Sequence, residues 1–240
     1  MDRSAPVDVA ALAAGRGVTR LCHLTPFRNL LHLASEGQGL LSLRQLASQS
    51  GDYDQQDLER LDGHPNHICC SIQYPNAWYL RNRKLRATPI QRLFPDWVCL
   101  TIAPKHLWSS GTRVCVRNAA ALGGTLIEDI SPGSFQALYA SSIIGAGGRT
   151  YRRSANRIAA CTTDDQGEVL VHRRIPLADV HAVIVTSDSD AKRFQAALDQ
   201  IGADTSSLGW AVAPALFNAN ALSASVASGT PPTETPWTPA

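Results

Sequence analysis

TTDDQGEVLVHRRIP, residues 162–176, holds a strand and a puzzle. Gly167 to His172 reads as a β-strand with Val169, Leu170 and Val171 as its apolar body. On an alternating strand, Glu168 points the way Leu170 and His172 point. A carboxylate on a core-facing side is costly to desolvate unless it is paired or at work. Two readings stay open at this stage: a strand-end carboxylate that reaches water, or a catalytic carboxylate.

The chain has 240 residues, 44% hydrophobic and 18% charged, which suits one globular domain with tails. A net charge of +2 does not announce a nucleic-acid binder, so any basic surface must come from clustering. Cys69 and Cys70 are adjacent in an apolar run, and the six cysteines show no framework spacing. They read as reduced thiols in a cytoplasm. Asp2 and Asp8 argue against a secretory signal, and no apolar run is long enough to span a membrane. A cytoplasmic protein without membrane contact is expected.

Working outward, residues 1–17 read as a loose leader with one short helix. Residues 18–204 read as the body. Residues 205–240 read as an extension without fixed structure from about 223, where Ser, Thr, Pro and Ala dominate. In the body, TRLCHLT (19–25), HICCSI (67–72), DWVCLTI (96–102), TRVCV (112–116), GEVLVHR and VHAVIVT (180–186) predict strands. Helices are predicted after Pro26, from Ser42, near Pro75, from Ser131 through Ile143, and over SDSDAKRFQAALDQ (187–200). GAGGRTYRRSANR (145–157) predicts a mobile loop or exposed helix start. The class is α+β, with about six short strands and helices inserted between them.

His64, His67, Cys69 and Cys70 imitate a metal set, but adjacent cysteines on a strand face opposite ways and no second Cys pair exists, so no metal is expected. GAGGRT imitates a dinucleotide turn, yet Thr150 stands where the third glycine belongs. The arginines say more. Arg149, Arg152, Arg153 and Arg157 form one cluster, and Arg81, Arg83, Lys84 and Arg86 another. Such clusters on a nearly neutral chain suit a phosphate backbone, and Tyr151, Trp78 and Tyr79 beside them suit stacking on bases.

In order, LCHLTPFRNLLHLASEGQGLLS, ERLDGHPNHICCSIQYPNAWYLRNR, WVCLTIAPKHLW with VCVRNAAA, and TTDDQGEVLVHRRIPLADVHAVIV resemble the DarT family of DNA ADP-ribosyltransferase toxins over residues 19–195. Gly167 departs from the family's usual alanine and Leu24 from a common aromatic residue. A glycine there is expected to let a nucleotide approach the backbone.

The resemblance implies an ADP-ribosyltransferase-like fold of two packed, mostly antiparallel sheets with NAD as co-substrate in the cleft. It implies that Glu168 is catalytic, with Arg60 acting on the diphosphate or the nucleobase. It assigns His23, Thr25, Asn29, Ser71, Tyr74 and Tyr79 to NAD, without choosing which tyrosine stacks on nicotinamide. It assigns Arg149, Arg152, Arg153 and Arg157 to single-stranded DNA. The implied reaction is ADP-ribosylation of thymine or guanine, in a toxin–antitoxin or anti-phage system. The implied partner is a separate antitoxin, a macrodomain or related hydrolase that removes ADP-ribose. The rivals are an ADP-ribosyltransferase acting on RNA or protein, and a catalytically silent nucleic-acid-binding module.

Overall fold

The computed structural model describes residues 5–48, 61–86, 96–145 and 148–238. Among the described residues, the main sheet has nine strands, in the order β13-β12-β11-β4-β1-β3-β9-β5-β6. The centre is made of β1 (Leu21–Pro26), β3 (His67–Ile72), β4 (Trp97–Ile102), β9 (Glu168–His172) and β11 (Val180–Val185). Leu21, Leu100, Ile102, Val169, Leu170, Val183 and Val185 are completely buried. This is why these strands are near-continuous apolar runs: both of their faces are covered.

β5 (Arg113–Cys115) and β6 (Ile127–Asp129) extend one side. β12 (Gly209–Val212) and β13 (Thr235–Trp237) extend the other. All pairings are antiparallel except β11 with β12, which a helix connects. Two short pairs complete the strands: β2 (Leu40–Leu41) with β10 (Arg174–Ile175), and β7 (Ser142–Ile144) with β8 (Thr150–Arg152). The α+β class read from the sequence, and the mostly antiparallel pairing implied by the resemblance, are both found.

The cleft begins where the sheet parts. β1 pairs with β4 along all six residues, but with β3 only at Leu21↔Ile72 and Cys22↔Ser71. Beyond Cys22 the two backbones stop pairing, and β3 continues instead with β9, from Cys70↔Val169 to His67↔His172. His23, Thr25 and Glu168 therefore belong to two halves of one sheet that diverge from a shared hinge.

Helices follow their caps. α2 (Phe27–Glu36) starts after Pro26, and α3 (Leu43–Leu46) from a capping box at Ser42. α4 (Ala77–Arg86) follows Pro75-Asn76. α5 (Pro132–Ala137) is capped by Ser131, and α6 (Asp188–Gln200) by Ser187. Phe27 of α2 stacks on Phe194 of α6 with ring centroids 3.9 Å apart.

Several expectations need correction. The leader is a helix docked on the core: α1 (Ala5–Gly15) buries Val9 and Ala13, and Arg16 covers the Tyr139 ring at 4.0 Å. The helix from Ser131 stops at Ala137, because Ile143 and Ile144 enter a strand. The arginine-rich stretch is that strand's hairpin partner rather than a helix start.

The tail past 223 is ordered through residue 238. It contains the end of α7 (Ala219–Ser228) and then β13. Composition understated this segment. Ala219, Leu222 and Val226 share one helix face and are buried, while Trp237 meets Trp210 across the β12–β13 pair. A few apolar side chains suffice when they land on a surface already built. Among the described residues no helix is long and apolar enough to cross a membrane.

Candidate active site

Glu168 opens β9 opposite Cys115 of β5 and is only 8% exposed, so it does not reach water at the strand end. Among the described residues, three donors approach its carboxylate. Asn118 Nδ2 donates to Oε1 at 3.3 Å, Asn76 Nδ2 stands 3.5 Å from the same oxygen, and the Ala119 N–H donates to Oε2 at 3.2 Å.

Both asparagines are oriented by their own backbones. The Tyr79 N–H donates to Asn76 Oδ1 at 2.9 Å, capping α4, and the Ala120 N–H donates to Asn118 Oδ1 at 3.0 Å. With each amide oxygen taken by an N–H, each NH2 must turn toward Glu168. Asn76, Asn118 and Ala119 were missed from the sequence. Only Asn76 carried a local signal, an Asn directly before a helix.

The turn into Glu168 is built by Asp164. It accepts the Gln166 N–H on Oδ1 at 2.9 Å, and the Gly167 N–H and Thr162 hydroxyl on its carbonyl. A Cβ at Gly167 would stand 2.9 Å from Thr162 Oγ1. A side chain at 167 would therefore crowd the Thr162 side chain, so protein lies against the backbone on that side of Gly167.

The thiol of Cys115, beside Glu168, is pushed up to about 11 by burial, and that of Cys70 is raised as well. Neither is a thiolate at neutral pH. None of the six cysteines is in a disulfide.

On the other half of the cleft, His23 Nδ1 lies 2.8 Å from the Cys69 carbonyl. A carbonyl only accepts, so Nδ1 carries the proton. The bond bridges β1 and β3 where their backbones have parted. Thr25, two residues along and on the same face, is buried and accepts from Asn29 Nδ2 at 3.2 Å. Ser71 is buried on β3, directly across from Cys22.

The two tyrosines go to different places. Tyr79 sets its ring edge-on to Trp97, 6.3 Å between centroids, and Trp97 faces Pro26 at the end of β1 where Thr25 lies. Tyr74 lies beneath the Arg20 guanidinium at 5.3 Å, and burial pushes its phenol up to about 12. It lines a cavity with Trp78, Arg157, Asp165 and Ser223. Arg60 lies outside the described residues.

The arginine cluster divides. Arg149 and Arg152 are exposed and make no ion pair among the described residues. Arg153 donates to the carbonyls of Cys161 at 2.7 Å, Ile158 at 3.1 Å and Ala159 at 3.2 Å. Arg157 is ion-paired with Asp165 and donates to the Thr162 carbonyl at 2.6 Å. Arg153 and Arg157, expected as DNA contacts, tie the 153–165 loop internally, their guanidinium groups bonded to chain carbonyls and a carboxylate.

α7 holds the same loop from outside. Trp78 Nε1 donates to Ser223 Oγ at 3.0 Å, and Ser223 in turn donates to Asp165. The Ile158 N–H donates to the Val226 carbonyl, and Ser154 Oγ to that of Ala227. Further along, Glu234 is ion-paired with Arg20. Arg117, also missed from the sequence, is buried and donates to the carbonyls of Ile144 at 3.2 Å and Gly145 at 2.6 Å, tying β5 to the β7–β8 hairpin. Among the described residues no group of three His, Cys, Asp or Glu side chains is placed to hold a metal ion.

A family model described as DarT, ssDNA thymidine ADP-ribosyltransferase, matches residues 22–211. The chain belongs to the DarT family. Among solved structures, it is similar to DarT from Thermus sp. 2.9 in complex with NAD+, at 15% identity and a TM-score of 0.55, covering 83% of this chain and 97% of that one. It is similar to the same Thermus protein in complex with ADP-ribosylated ssDNA, at 16% identity and a TM-score of 0.52, covering 78% and 90%. A third is Thermosipho africanus DarTG in complex with ADP-ribose, at 12% identity and a TM-score of 0.55, covering 83% of this chain. The match spans about half of that DarTG chain, 51%. No curated protein sequence matches this chain. At these identities the structures establish the shared fold, and the DarT model establishes the family.

Proposed function

We propose that this protein transfers ADP-ribose from NAD to a ring nitrogen of thymine in single-stranded DNA, with Glu168 as the catalytic carboxylate. The observation that carries the reading is Glu168 itself, buried yet oriented by Asn76, Asn118 and Ala119 at the mouth of a split sheet. The family description favours thymine over guanine.

In the proposed reaction the bond from the ribose anomeric carbon to nicotinamide breaks. Its electron pair leaves with nicotinamide and neutralises the ring cation. Glu168 holds the ribose 2′-hydroxyl and stabilises the oxocarbenium-like ribose. A buried, pre-oriented carboxylate does this more strongly than one in water. The base nitrogen then bonds to the anomeric carbon, and its proton passes to Glu168. His23, Thr25, Asn29 and Ser71 form the proposed NAD edge, and Tyr79, on the Thr25 side, is the tyrosine proposed to stack on nicotinamide. Arg60 is proposed to polarise the base or the diphosphate. Arg149 and Arg152 are proposed to meet the DNA backbone.

Labelled NAD, a mixed-sequence oligonucleotide and the wild-type and Glu168→Gln proteins test this reading. Label on the oligonucleotide with wild type alone, on thymine by mass spectrometry, is expected. RNA or protein labelled in preference to DNA would overturn the acceptor. Tight strand binding without NAD turnover would overturn the enzyme.

Modifying a cell's own DNA would be toxic, so a separate antitoxin that removes ADP-ribose is proposed as partner, in a cytoplasmic toxin–antitoxin or anti-phage role. Growth arrest on expression, relieved by an ADP-ribose-removing macrodomain, is the expected result.

A further inference from the structure

The turn that supplies Ala119 to Glu168 carries an unexplained residue. Leu122, Gly123 and Gly124 have consecutive positive φ values of +54°, +62° and +83°. Glycine adopts that conformation freely, whereas a leucine there pays a steric penalty between its Cβ and the carbonyl oxygen. Leu122 also has nothing to gain by burial, since it is 68% exposed. A residue strained in its backbone and exposed in its side chain stabilises nothing on its own account.

The turn has no freedom to relax. Arg117 is bonded to the Ile144 and Gly145 carbonyls at its start, and Asn118 and Ala119 are bonded to Glu168. At its far end, a Cβ on Gly124 would stand 2.3 Å from the Asp62 carbonyl oxygen, so the backbones lie flush. The apex between these anchors presents an aliphatic side chain three residues from a Glu168 donor. Leu61, the neighbour of Asp62, is a second exposed aliphatic residue there, at 63%. Strain held by surrounding contacts is found where it serves a site.

We infer that Leu122 is a specificity-determining residue that lies against the acceptor nucleobase and separates it from the next base in the strand. An aliphatic wedge suits this role: every base has an apolar face, and separating one base from its neighbour frees it to turn its edge toward the cleft. The inference rests on the proposed DNA acceptor, and it adds the part of the protein that meets the base.

Three variants, Leu122→Gly, Leu122→Ala and Leu122→Met, test it in full-length protein with labelled NAD and a thymine-containing single strand. For Leu122→Gly, the ratio of label transferred to DNA over nicotinamide released falls about tenfold or more. The KM for the oligonucleotide rises, while Tm holds or increases because the strained backbone is relieved. Leu122→Ala loses transfer similarly, and Leu122→Met retains it. Wild-type transfer ratios in both the Gly and Ala variants would overturn the inference while leaving the acceptor intact. An absence of label on DNA with wild type would overturn the acceptor assignment, and this inference with it.

Discussion

Two carboxylates sit three residues apart in DDQGE and are treated in opposite ways. Asp165 is ion-paired with Arg157 and receives the Ser223 hydroxyl. Glu168 receives two asparagine carboxamides and a backbone N–H. The guanidinium of Arg157 offsets the charge of Asp165, whereas the amide donors at Glu168 aim its oxygens. The first arrangement holds a loop together; the second orients the carboxylate proposed to be catalytic. Two like-charged side chains in one turn thus have different surroundings, and their partners tell them apart.

The contrast can be broken most sharply at Glu168. Glu168→Gln should lower transfer to DNA by about a hundredfold or more, with the fold unchanged by circular dichroism. Arg157→Ala should do the converse. Removing one partner of a largely buried ion pair costs about 3 kcal/mol of stability, read as a fall in the denaturant midpoint. If Arg157→Ala instead leaves stability alone and abolishes strand binding, Arg157 is a DNA contact after all.

Asn118→Ala comes next. It removes a donor to Glu168 and should cost about tenfold in kcat, the scale of one hydrogen bond to a charged group, with little change in the KM for NAD. Ser223→Ala should be milder, at about 1 kcal/mol of stability, since it severs one link between Trp78, α7 and Asp165. The smallest effect is one of slope. Neutralising Arg149 and Arg152 together should flatten the dependence of log affinity on log salt by about 0.7 per arginine. Arg153→Ala should leave that slope as it is.

Much of the frame was legible in the chain. β1, β3, β4, β9 and β11 are apolar runs bounded by polar turns, and Ser131 and Ser187 cap helices in the expected way. The β7–β8 hairpin was hidden because Ile143 and Ile144 continue the helical spacing of Phe135 and Leu138. α7 was hidden because its buried face is only Ala219, Leu222 and Val226, and its stability comes from the surface beneath it. In the site, Glu168 was visible as a charge where an apolar residue belonged. Its donors were not: Asn76 and Asn118 lie 92 and 50 residues away in sequence, and nothing local to either names the other. The two functions within the arginine cluster were equally invisible, because a guanidinium satisfying carbonyls and one facing solvent have the same letter.

The placement of α7 sets an order of events in synthesis. Residues 219–228 leave the ribosome after every element they hold, including the loop that runs into Glu168. The nascent chain can form its central strands before this helix exists, but not the loop's outer hydrogen bonds. The loop that runs into Glu168 thus gains its outer ties only after α7 has been made, later than the strands that carry the rest of the site.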